Sequence, residues 1–241
     1  ADMLQREFIH VAAHELRTPI QPILGMAEII ESTLQKKKDA SIKPEEIEMI
    51  ARNARRLQKL SEEILDIARI ESNSLALHKS LFNLKDVLTL IVEDCRKQIH
   101  MDGREVKIIH NQPDDIEVYA DKERIMQVLG NLLSNALKFT KHGTITISTE
   151  QSNSNDKSHL TVKVTDTGLG IDPALLMRLF TKFATKSEHG TGLGLYISKS
   201  IVEAHGGKIW AENNSDGSGA TFTFTLPIQK PHQEYHLKSL S

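Results

Sequence analysis

The chain has 241 residues, enough for one large domain or for a small domain followed by a medium one. Hydrophobic residues make up 39% and charged residues 26%, proportions typical of a folded globular protein and not of a disordered chain. The formal net charge of -2 gives no global attraction to nucleic acid or to a membrane surface, and the single cysteine, Cys95, excludes an internal disulfide and a cysteine metal cluster.

Residues 1–78 are predicted to form a helix, a loop and a second helix. Apolar side chains recur three and four residues apart on each helix, which is the pattern of a packing seam. The seam comprises Ile9, Ala12, Leu16, Ile20, Ile23, Ala27, Ile30 and Leu34 on the first helix, and Ile47, Ile50, Ala54, Leu57, Ser61, Ile64 and Ala68 on the second. The polar connection QKKKDASIKP ends in Pro44, a favourable first helical residue. Because a lone hairpin cannot bury both seams, we predict a homodimer in which two hairpins form a four-helix bundle.

The stretch HVAAHELRTPIQPILG, residues 10–25, places reactive side chains inside the first helix. At about 100° per residue, His14 points about 165° away from the seam, so it is expected to face solvent. Thr18 lies one turn further along the same face, and Glu15 projects beside them. A carboxylate next to an exposed imidazole can orient the ring and accept its proton, which suits a nucleophile.

A proline follows this group of side chains. Pro19 removes a backbone donor and clashes with the preceding turn, so the helix is expected to be weakened beside His14. Two alternatives stay open at this point. His14 could be an ordinary surface histidine, or it could form half of a metal site with His10, although no third ligand lies nearby and the spacing is not that of a zinc HExxH helix.

The pattern changes from residue 79 onward. Helical periodicity over residues 83–101 and 121–139 alternates with the strand-like runs VKIIH, TITIST, LTVKVTD, GGKIWAE and ATFTFTLP. The chain is therefore predicted to be α+β, with residues 79–230 forming an α/β sandwich whose mixed sheet is covered on one face by helices. Residues 231–241 are expected to be a C-terminal tail or linker.

The apolar runs are short. VLTLIV is far below the roughly 20 residues that cross a bilayer, and we expect no secretory leader. We expect this chain to make no membrane contact of its own and to lie in the cytoplasm. Its opening, ADMLQREF, enters helical periodicity directly, which suggests a piece of a longer protein whose sensor or membrane part would lie upstream.

Two glycine clusters indicate backbone that can approach a ligand closely: DTGLGI, residues 166–171, and GTGLGL, residues 190–195. Neither is a P-loop or a dinucleotide fingerprint. Asp166 ends a strand and could accept a hydrogen bond from an amino group. Upstream, Asn131, Asn135 and Lys138 in NLLSNALKFT share one helix face; amide oxygens suit magnesium, and lysine suits phosphate.

Six motifs in order resemble the catalytic core of a sensor histidine kinase over about residues 4 to 228. AAHELRTPI resembles the phosphoacceptor box, NLLSNALKFT the asparagine box, and DTGLGI and GTGLGL the two glycine boxes. LFTKF resembles the phenylalanine box between them, and EAHGGKIWAEN with GATFTFTLP resembles the end of the ATP-binding domain.

The resemblance implies a role for each matching residue. His14 is the phosphorylated residue, Glu15 its base, and Thr18 the residue that positions water when the phosphorylated partner is hydrolysed. Asn135 binds magnesium with Asn131 one turn earlier. The implied ATP-binding set is Asn131, Asn135, Lys138, Phe139, Asp166, Gly168, Gly170, Lys186, Gly190, Thr191, Gly192, Leu193 and Gly194, with Phe180 and Phe183 anchoring a lid.

The chain departs from the family pattern in its lid. Only ATKSEH separates Phe183 from Gly190, and the arginine that the family often carries there is missing. This leaves Lys182 and Lys186 as the basic residues of the lid, either as phosphate contacts or as plain solvated charges.

The resemblance implies an ATP- and magnesium-dependent autokinase that relays phosphate from His14 to an aspartate of a response-regulator receiver domain, with possible dephosphorylation of that partner. One alternative is a hydrolytic ATPase of the gyrase and MutL superfamily, but Asn131 stands where those enzymes place a water-activating glutamate, and an amide is no base. Another is a catalytically dead dimeric scaffold, although no motif is broken. Whether phosphorylation occurs within a subunit or between subunits stays open.

A possible docking surface lies on the His14 face. Gln21, Pro22, Gly25, Glu28 and Ser32 fall there, together with Ile29, which lies about 135° from the seam. An apolar residue beside a glycine gap is a feature that a receiver domain could contact. The alternative is that Ile29 packs on the second helix of its own hairpin.

Overall fold

The computed structural model describes residues 2–36, 41–111, 115–153, 158–185, 190–215 and 217–228. It divides into two compact units, Ala1–Ser74 and Leu75–Ser241. The predicted tail at 231–241 lies outside the described residues. Within the described residues, no helix combines the length and apolarity needed to span a bilayer.

The first unit is a pair of long helices in contact, α1 (Asp2–Lys36) and α2 (Pro44–Glu71). Pro44 is the first residue of α2, as predicted, and the Glu46 carboxylate accepts a hydrogen bond from the backbone N–H of Lys43 at 2.8 Å, which caps the helix start. Helix α1 continues through both of its prolines, Pro19 and Pro22. The helical hairpin is therefore confirmed.

Some apolar side chains of α1 are buried within the hairpin, and others are exposed. Ala12 is buried in the single chain, whereas large apolar side chains nearby are exposed: Ile9 by 59%, Ile20 by 37%, Leu24 by 57% and Leu34 by 48%. On α2 the most buried apolar residues are Leu60 and Ile67, which the predicted seam omits, while Ile47 is 56% exposed. The hairpin thus keeps an apolar surface that its own two helices do not cover.

The second unit contains the remaining elements. They are β1 (Ser80–Asn83), α3 (Leu84–Met101), β2 (Glu105–His110), β3 (Glu117–Ala120), α4 (Lys122–Phe139), β4 (His142–Asn153), β5 (Ser158–Asp166), α5 (Pro173–Leu176), α6 (Gly194–Ala204), β6 (Ile209–Asn213) and β7 (Ala220–Pro227). The five predicted strands and both predicted helices are present. The short elements β1, β3 and α5, and helix α6, are additional to the prediction.

Five strands form one mixed sheet in the order β2-β4-β5-β7-β6, in which β2 and β4 are parallel and all other neighbours are antiparallel. Alternate residues of β5 are buried, as at Leu160, Val162 and Val164, while Thr161 and Lys163 between them are partly exposed. Helices α3, α4 and α6 contact the sheet. A mixed sheet with helices packed on it is therefore confirmed, and its core lies between the buried strand positions and α4.

A buried polar network ties the start of this unit to its far end. The Asp121 carboxylate accepts hydrogen bonds from the backbone N–H of His78 at 2.8 Å and of Arg124 at 3.2 Å. The Asp121 N–H donates to His205 Nε2 at 3.0 Å, and His205 Nδ1 lies 2.8 Å from the Ile201 carbonyl oxygen. A carbonyl only accepts and a backbone N–H only donates, so Nδ1 carries the proton, Nε2 is the acceptor and His205 is neutral. Burial is the main cause that lowers the His205 pKa.

Candidate functional site

His14 is presented to solvent from the middle of α1. Its side chain is 69% exposed, in agreement with the angular count along the helix. The Nδ1 atom lies 3.8 Å from Glu15 Oε1, and the Glu15 side chain is only 22% exposed. Because the carboxylate faces Nδ1, the other ring nitrogen, Nε2, is the one directed away from Glu15 and available to a reaction partner.

Arg56 of α2 is a neighbour of this pair that the sequence did not point to. Its Nη2 lies 3.8 Å from Glu15 Oε2, so the two carboxylate oxygens of Glu15 face different partners, His14 and Arg56. The same nitrogen is buried and has no hydrogen-bond partner in the described part of the chain. Arg56 is one of several basic residues on α2, and nothing in the local pattern distinguishes it.

Thr18 lies one turn beyond His14. Its hydroxyl donates to the backbone carbonyl of His14 at 3.1 Å. This bond resembles those that serine and threonine commonly make inside helices, and it leaves the oxygen lone pairs of Thr18 available. The described residues contain no group of three or more His, Cys, Asp and Glu side chains that could hold a metal ion, so they add no ligands to the His10 and His14 pair.

Helix α4 carries the asparagine box. The Asn131 amide donates to the Gly194 carbonyl at 3.2 Å and to Ser198 Oγ at 3.3 Å, so Asn131 is tied to the first turn of α6. Asn135 is partly exposed, and within the described residues its amide makes no hydrogen bond. Its oxygen is thus available to a hard cation such as magnesium, which takes oxygen ligands and keeps several waters.

The end of α4 presents a cation and an aromatic ring together. Lys138 Nζ lies 5.5 Å from the centroid of the Phe139 ring, and Phe139 is 40% exposed. An exposed ring at a helix end, with a cation beside it, can contact a flat heterocycle on one side and phosphate on the other.

Asp166 ends β5 as predicted and is buried, with 3% of its surface exposed. Its Oδ1 accepts the backbone N–H of Gly168 at 2.8 Å, and the Ala220 N–H also donates to the carboxylate. Burial raises the Asp166 pKa above its ordinary value of 3.8, and the two backbone hydrogen bonds oppose this. A buried carboxylate held from two sides is a rigid acceptor for an amino group.

The glycine boxes lie where side chains would not fit. A Cβ at Gly168 would come within 2.5 Å of the Phe139 carbonyl oxygen and 2.9 Å of Asp166 Oδ1. Gly192 has φ of 67°, and a Cβ there would lie 2.6 Å from the Phe183 carbonyl carbon. The first glycine box therefore contacts the end of α4, and the second contacts the phenylalanine box.

The remaining predicted residues fall on the same unit. Gly170 has φ of 71° and lies against Asn213, and Gly194 lies against Asn131. Gly190, Thr191 and Leu193 precede α6, where the Leu193 N–H donates to Thr191 Oγ1 at 3.3 Å. Lys182 Nζ lies 5.4 Å from the Tyr196 ring centroid. Lys186 lies outside the described residues.

Asn213, the last residue of β6, and Asn214, which follows it, support the first glycine box and were not singled out from the sequence. Asn214 Nδ2 donates to the Asp166 carbonyl at 2.8 Å and to the Ser218 carbonyl at 2.7 Å. Asn213 Oδ1 accepts from the Ile171 N–H at 2.6 Å, and Asn213 Nδ2 donates to the Ile171 carbonyl at 2.8 Å. These bonds join the turn after β6 to the loop that follows Asp166. The motif EAHGGKIWAEN ends at Asn213, so it contained a signal for Asn213 and none for Asn214.

Comparison with known families matches both units. Residues 4–73 match the His Kinase A (phospho-acceptor) domain, and residues 120–230 match the histidine kinase-, DNA gyrase B-, and HSP90-like ATPases.

Among curated relatives, the sensor histidine kinase WalK of Bacillus subtilis is 32% identical over 97% of this chain and 38% of its own length. The autoinducer 2 sensor kinase/phosphatase LuxQ of Vibrio harveyi is 32% identical over 92% of this chain and 26% of its own length. The chain therefore spans between about a quarter and two fifths of the length of these relatives.

Solved structures give the same family. The Acinetobacter baumannii histidine kinase AdeS superimposes with a TM-score of 0.70 at 26% identity, over 90% of this chain and 98% of that one. Full-length ShkA in complex with AMPPNP superimposes with a TM-score of 0.66 at 26% identity, over 93% of this chain and 46% of that one. The histidine kinase ThkA in complex with the response regulator TrrA superimposes with a TM-score of 0.63 at 29% identity, over 92% of this chain and 61% of that one.

Proposed function

Because this chain belongs to the histidine kinases of two-component signalling, we propose that it is an ATP-dependent autokinase that phosphorylates His14 and relays the phosphoryl group to an aspartate of a response-regulator receiver domain. The observation that carries the proposal is the presentation of His14. An exposed imidazole lies in a phospho-acceptor domain with a carboxylate at its Nδ1, and the same chain continues into an ATPase-family domain.

The phosphoryl transfer step follows from the orientation of the ring. The lone pair of His14 Nε2 attacks the γ-phosphorus, a P–N bond forms, the bond between that phosphorus and the bridging oxygen breaks, and ADP leaves with the bond electrons. Glu15 is the group placed to accept the Nδ1 proton as positive charge develops on the ring. In the relay step, an aspartate oxygen attacks the same phosphorus and the P–N bond breaks, with its electron pair returning to Nε2 while Nδ1 takes back a proton, so that neutral His14 is restored. Positioning and electrostatics supply most of the catalysis of such transfers.

Nucleotide recognition is assigned to the second unit. The Asp166 carboxylate accepts the adenine amino group, since it is buried and held by backbone N–H groups that fix its direction. Phe139 and Lys138 form the wall and the phosphate contact at the end of α4. The AMPPNP complex of ShkA supports ATP as the nucleotide.

Asn135 is the residue of this chain assigned to magnesium, with Asn131 one turn earlier. Magnesium supplies charge neutralisation at the phosphate oxygens. Asn131 does not serve as a water-activating base, because its amide donates to Gly194 and Ser198. This arrangement disfavours the hydrolytic ATPase alternative. The dead-scaffold alternative has no support in the site, since each motif retains its chemical groups.

The partners follow from two surfaces of the hairpin. The exposed stripe of Ile9, Ile20, Leu24 and Leu34 is proposed to pair with a second copy in a four-helix bundle. The receiver domain is proposed to dock on the His14 face, where Ile29 is 54% exposed in the single chain. The ThkA complex with TrrA supports a response-regulator partner, and the name of LuxQ supports a phosphatase role. In such a role, Thr18 is the residue that we assign to positioning water, since it lies one turn from His14. We place both activities in the cytoplasm, where ATP is available.

The test is incubation of the protein with γ-labelled ATP and magnesium. We expect label that is stable to alkali and labile to acid, as a phosphoramidate is, and that maps to His14. His14→Gln should incorporate none while it retains nucleotide affinity, because the acceptor and the nucleotide site lie in different units. His10→Gln is the matched control and should be labelled normally. Label that persists in His14→Gln would contradict the assignment of the acceptor.

A further inference from the structure

The Arg56 guanidinium is placed against the acid of the phosphoacceptor site. Its Nη2 lies 3.8 Å from Glu15 Oε2, and Glu15 Oε1 lies 3.8 Å from His14 Nδ1. Glu15 is thus the middle member of a row of three side chains that joins two helices. The outer member at one end, His14, is exposed by 69%, and the side chains of Glu15 and Arg56 are exposed by 22% and 29%.

An ordinary surface ion pair does not account for this placement. Exposed pairs contribute little to stability, because water and salt screen them. Arg56 Nη2 is instead buried and without a hydrogen-bond partner in the part of the chain that the structure describes. A buried donor without an acceptor disfavours the fold, so stability gives no reason for an arginine here. Arg52 and Arg55, on the same helix, are exposed.

We propose that Arg56 is a positioning residue for the phosphoacceptor: it holds Glu15 Oε2 so that Oε1 stays directed at His14 Nδ1. The proposal rests on the autokinase function above. A carboxylate at Nδ1 favours the ring tautomer with its proton on Nδ1, which leaves the Nε2 lone pair for attack on phosphorus. Without Arg56 the carboxylate can rotate away, and the ring is then free to carry its proton on Nε2.

The guanidinium suits this task better than an ammonium group does. It is planar and presents several donors in a fixed fork, so it constrains the orientation of a carboxylate as well as its position. Lysine at the same place would supply charge with no such constraint. The unpartnered Nη2 donor can form a hydrogen bond to Glu15 through a small side-chain movement, since the two atoms are already within 3.8 Å.

The experiment compares Arg56→Gln with Arg55→Gln, which removes the same charge from the next, exposed position. Arg56→Lys keeps the charge and removes the fork. The first readout is the ¹⁵N spectrum of the His14 ring, which distinguishes a proton on Nδ1 from one on Nε2. We expect the proton to move from Nδ1 toward Nε2 in Arg56→Gln, partly in Arg56→Lys, and not in Arg55→Gln.

The second readout is the single-turnover rate of autophosphorylation at saturating ATP. We expect a fall of about ten-fold or more in Arg56→Gln with ATP affinity unchanged, because a misplaced base loses part of the roughly 10²- to 10⁴-fold that proton transfer contributes. Thermal unfolding and the dimer fraction are measured on every variant. If Arg56→Gln is unfolded, the tautomer and the rate of Arg56→Lys are used to test the proposal.

Two outcomes would overturn the proposal: a His14 tautomer that is the same in Arg56→Gln and in the unchanged protein, or a rate loss that Arg55→Gln reproduces. Failure of the autokinase function itself is a separate result. In that case the unchanged protein takes up no label, and the tautomer spectrum still reports whether Arg56 orients the His14 ring.

Discussion

The candidate functional side chains of the two units differ in exposure and in how firmly they are held. In the helical hairpin, His14 is 69% exposed and its nearest charged neighbour lies 3.8 Å away. In the α/β unit, Asp166 is 3% exposed and accepts a backbone hydrogen bond at 2.8 Å. One residue is loosely held and accessible, and the other is fixed and enclosed.

The proposed function accounts for this difference by assigning a different task to each residue. A phosphoryl acceptor must reach a donor on one molecule and then a receiver on another, so it has to be exposed on a surface. A residue that recognises a nucleobase must hold its acceptor atoms in one fixed direction, so burial and backbone donors are an advantage. The cost appears in Asp166, whose raised pKa shows that burial disfavours its charged form.

The largest expected effect is on dimerisation of the hairpin. Ile20→Glu places a charge in the exposed apolar stripe, and an unpaired charge in a bundle core should raise the dimer dissociation constant by at least about 100-fold. Nucleotide affinity should not change, because the α/β unit is self-contained. Sedimentation over a range of concentrations measures the association.

Ile29→Glu is the matched control for the dimer, because Ile29 lies about 180° around α1 from Ile20. It should leave the dimer intact. Equal dissociation of both variants, or a monomer for the unchanged protein at micromolar concentration, would refute the proposed interface.

The next effect belongs to the α/β unit. Asp166→Asn should weaken ATP binding about 10- to 100-fold and reduce discrimination between ATP and GTP, since the charged acceptor for the amino group is lost. The free energy of unfolding without nucleotide should stay the same or increase, because the buried charge is removed. Calorimetry with both nucleotides and urea unfolding measure these changes. Asp94→Asn, on an exposed side chain of α3, is the control and should change neither nucleotide binding nor the free energy of unfolding. Unchanged nucleotide preference in Asp166→Asn would show that Asp166 does not recognise the adenine amino group.

A smaller effect is a dependence of stability on pH. The His205 pKa is lowered from its ordinary value of 6.5, chiefly by burial. The unfolded chain therefore binds more protons than the folded one as pH falls through 6.5, and the free energy of unfolding should decrease on acidification, with a slope of at most about 1.4 kcal/mol per pH unit from this one group. His205→Gln should be less stable at neutral pH and should lose part of this slope.

The control for that measurement is His142→Gln, since the His142 side chain is 74% exposed. Urea unfolding at about pH 5.5 and about pH 7.5 compares the variants on both sides of the ordinary histidine value. His110, whose pKa burial also lowers, contributes in the same direction and stays present in both variants. A slope that is identical in His205→Gln and in the unchanged protein would show that His205 does not cause it.

The smallest effect concerns the receiver. Ile29→Ser should slow transfer from phosphorylated His14 to the receiver by a few-fold and leave autophosphorylation and the melting temperature unchanged, because Ile29 is already 54% exposed. Glu93→Gln, at an exposed position of α3 away from the hairpin, is a control for a change of side chain without loss of apolar surface. A lowered melting temperature with normal transfer would instead mean that Ile29 packs within its own hairpin.

Much of this architecture could be predicted from local patterns. Periods of three to four and of two residues place both helices of the hairpin, the helices of residues 84–101 and 122–139, and the five main strands. Helix α6 begins inside a glycine cluster, which hides the periodicity of Ile197, Ile201 and Val202. The strands β1 and β3 have four residues each, too few to show alternation.

The sequence by itself determined which chemical groups are present, the face of α1 on which His14 lies, and the end of the strand on which Asp166 lies. Only the tertiary structure decided which distant residues support them. Arg56 meets Glu15 across two helices, Asn214 meets the Asp166 backbone across the sheet, and His205 meets Asp121. These contacts join residues that are dozens of positions apart. Periodicity reports only which side of an element a residue occupies, so the partner is fixed when the elements pack.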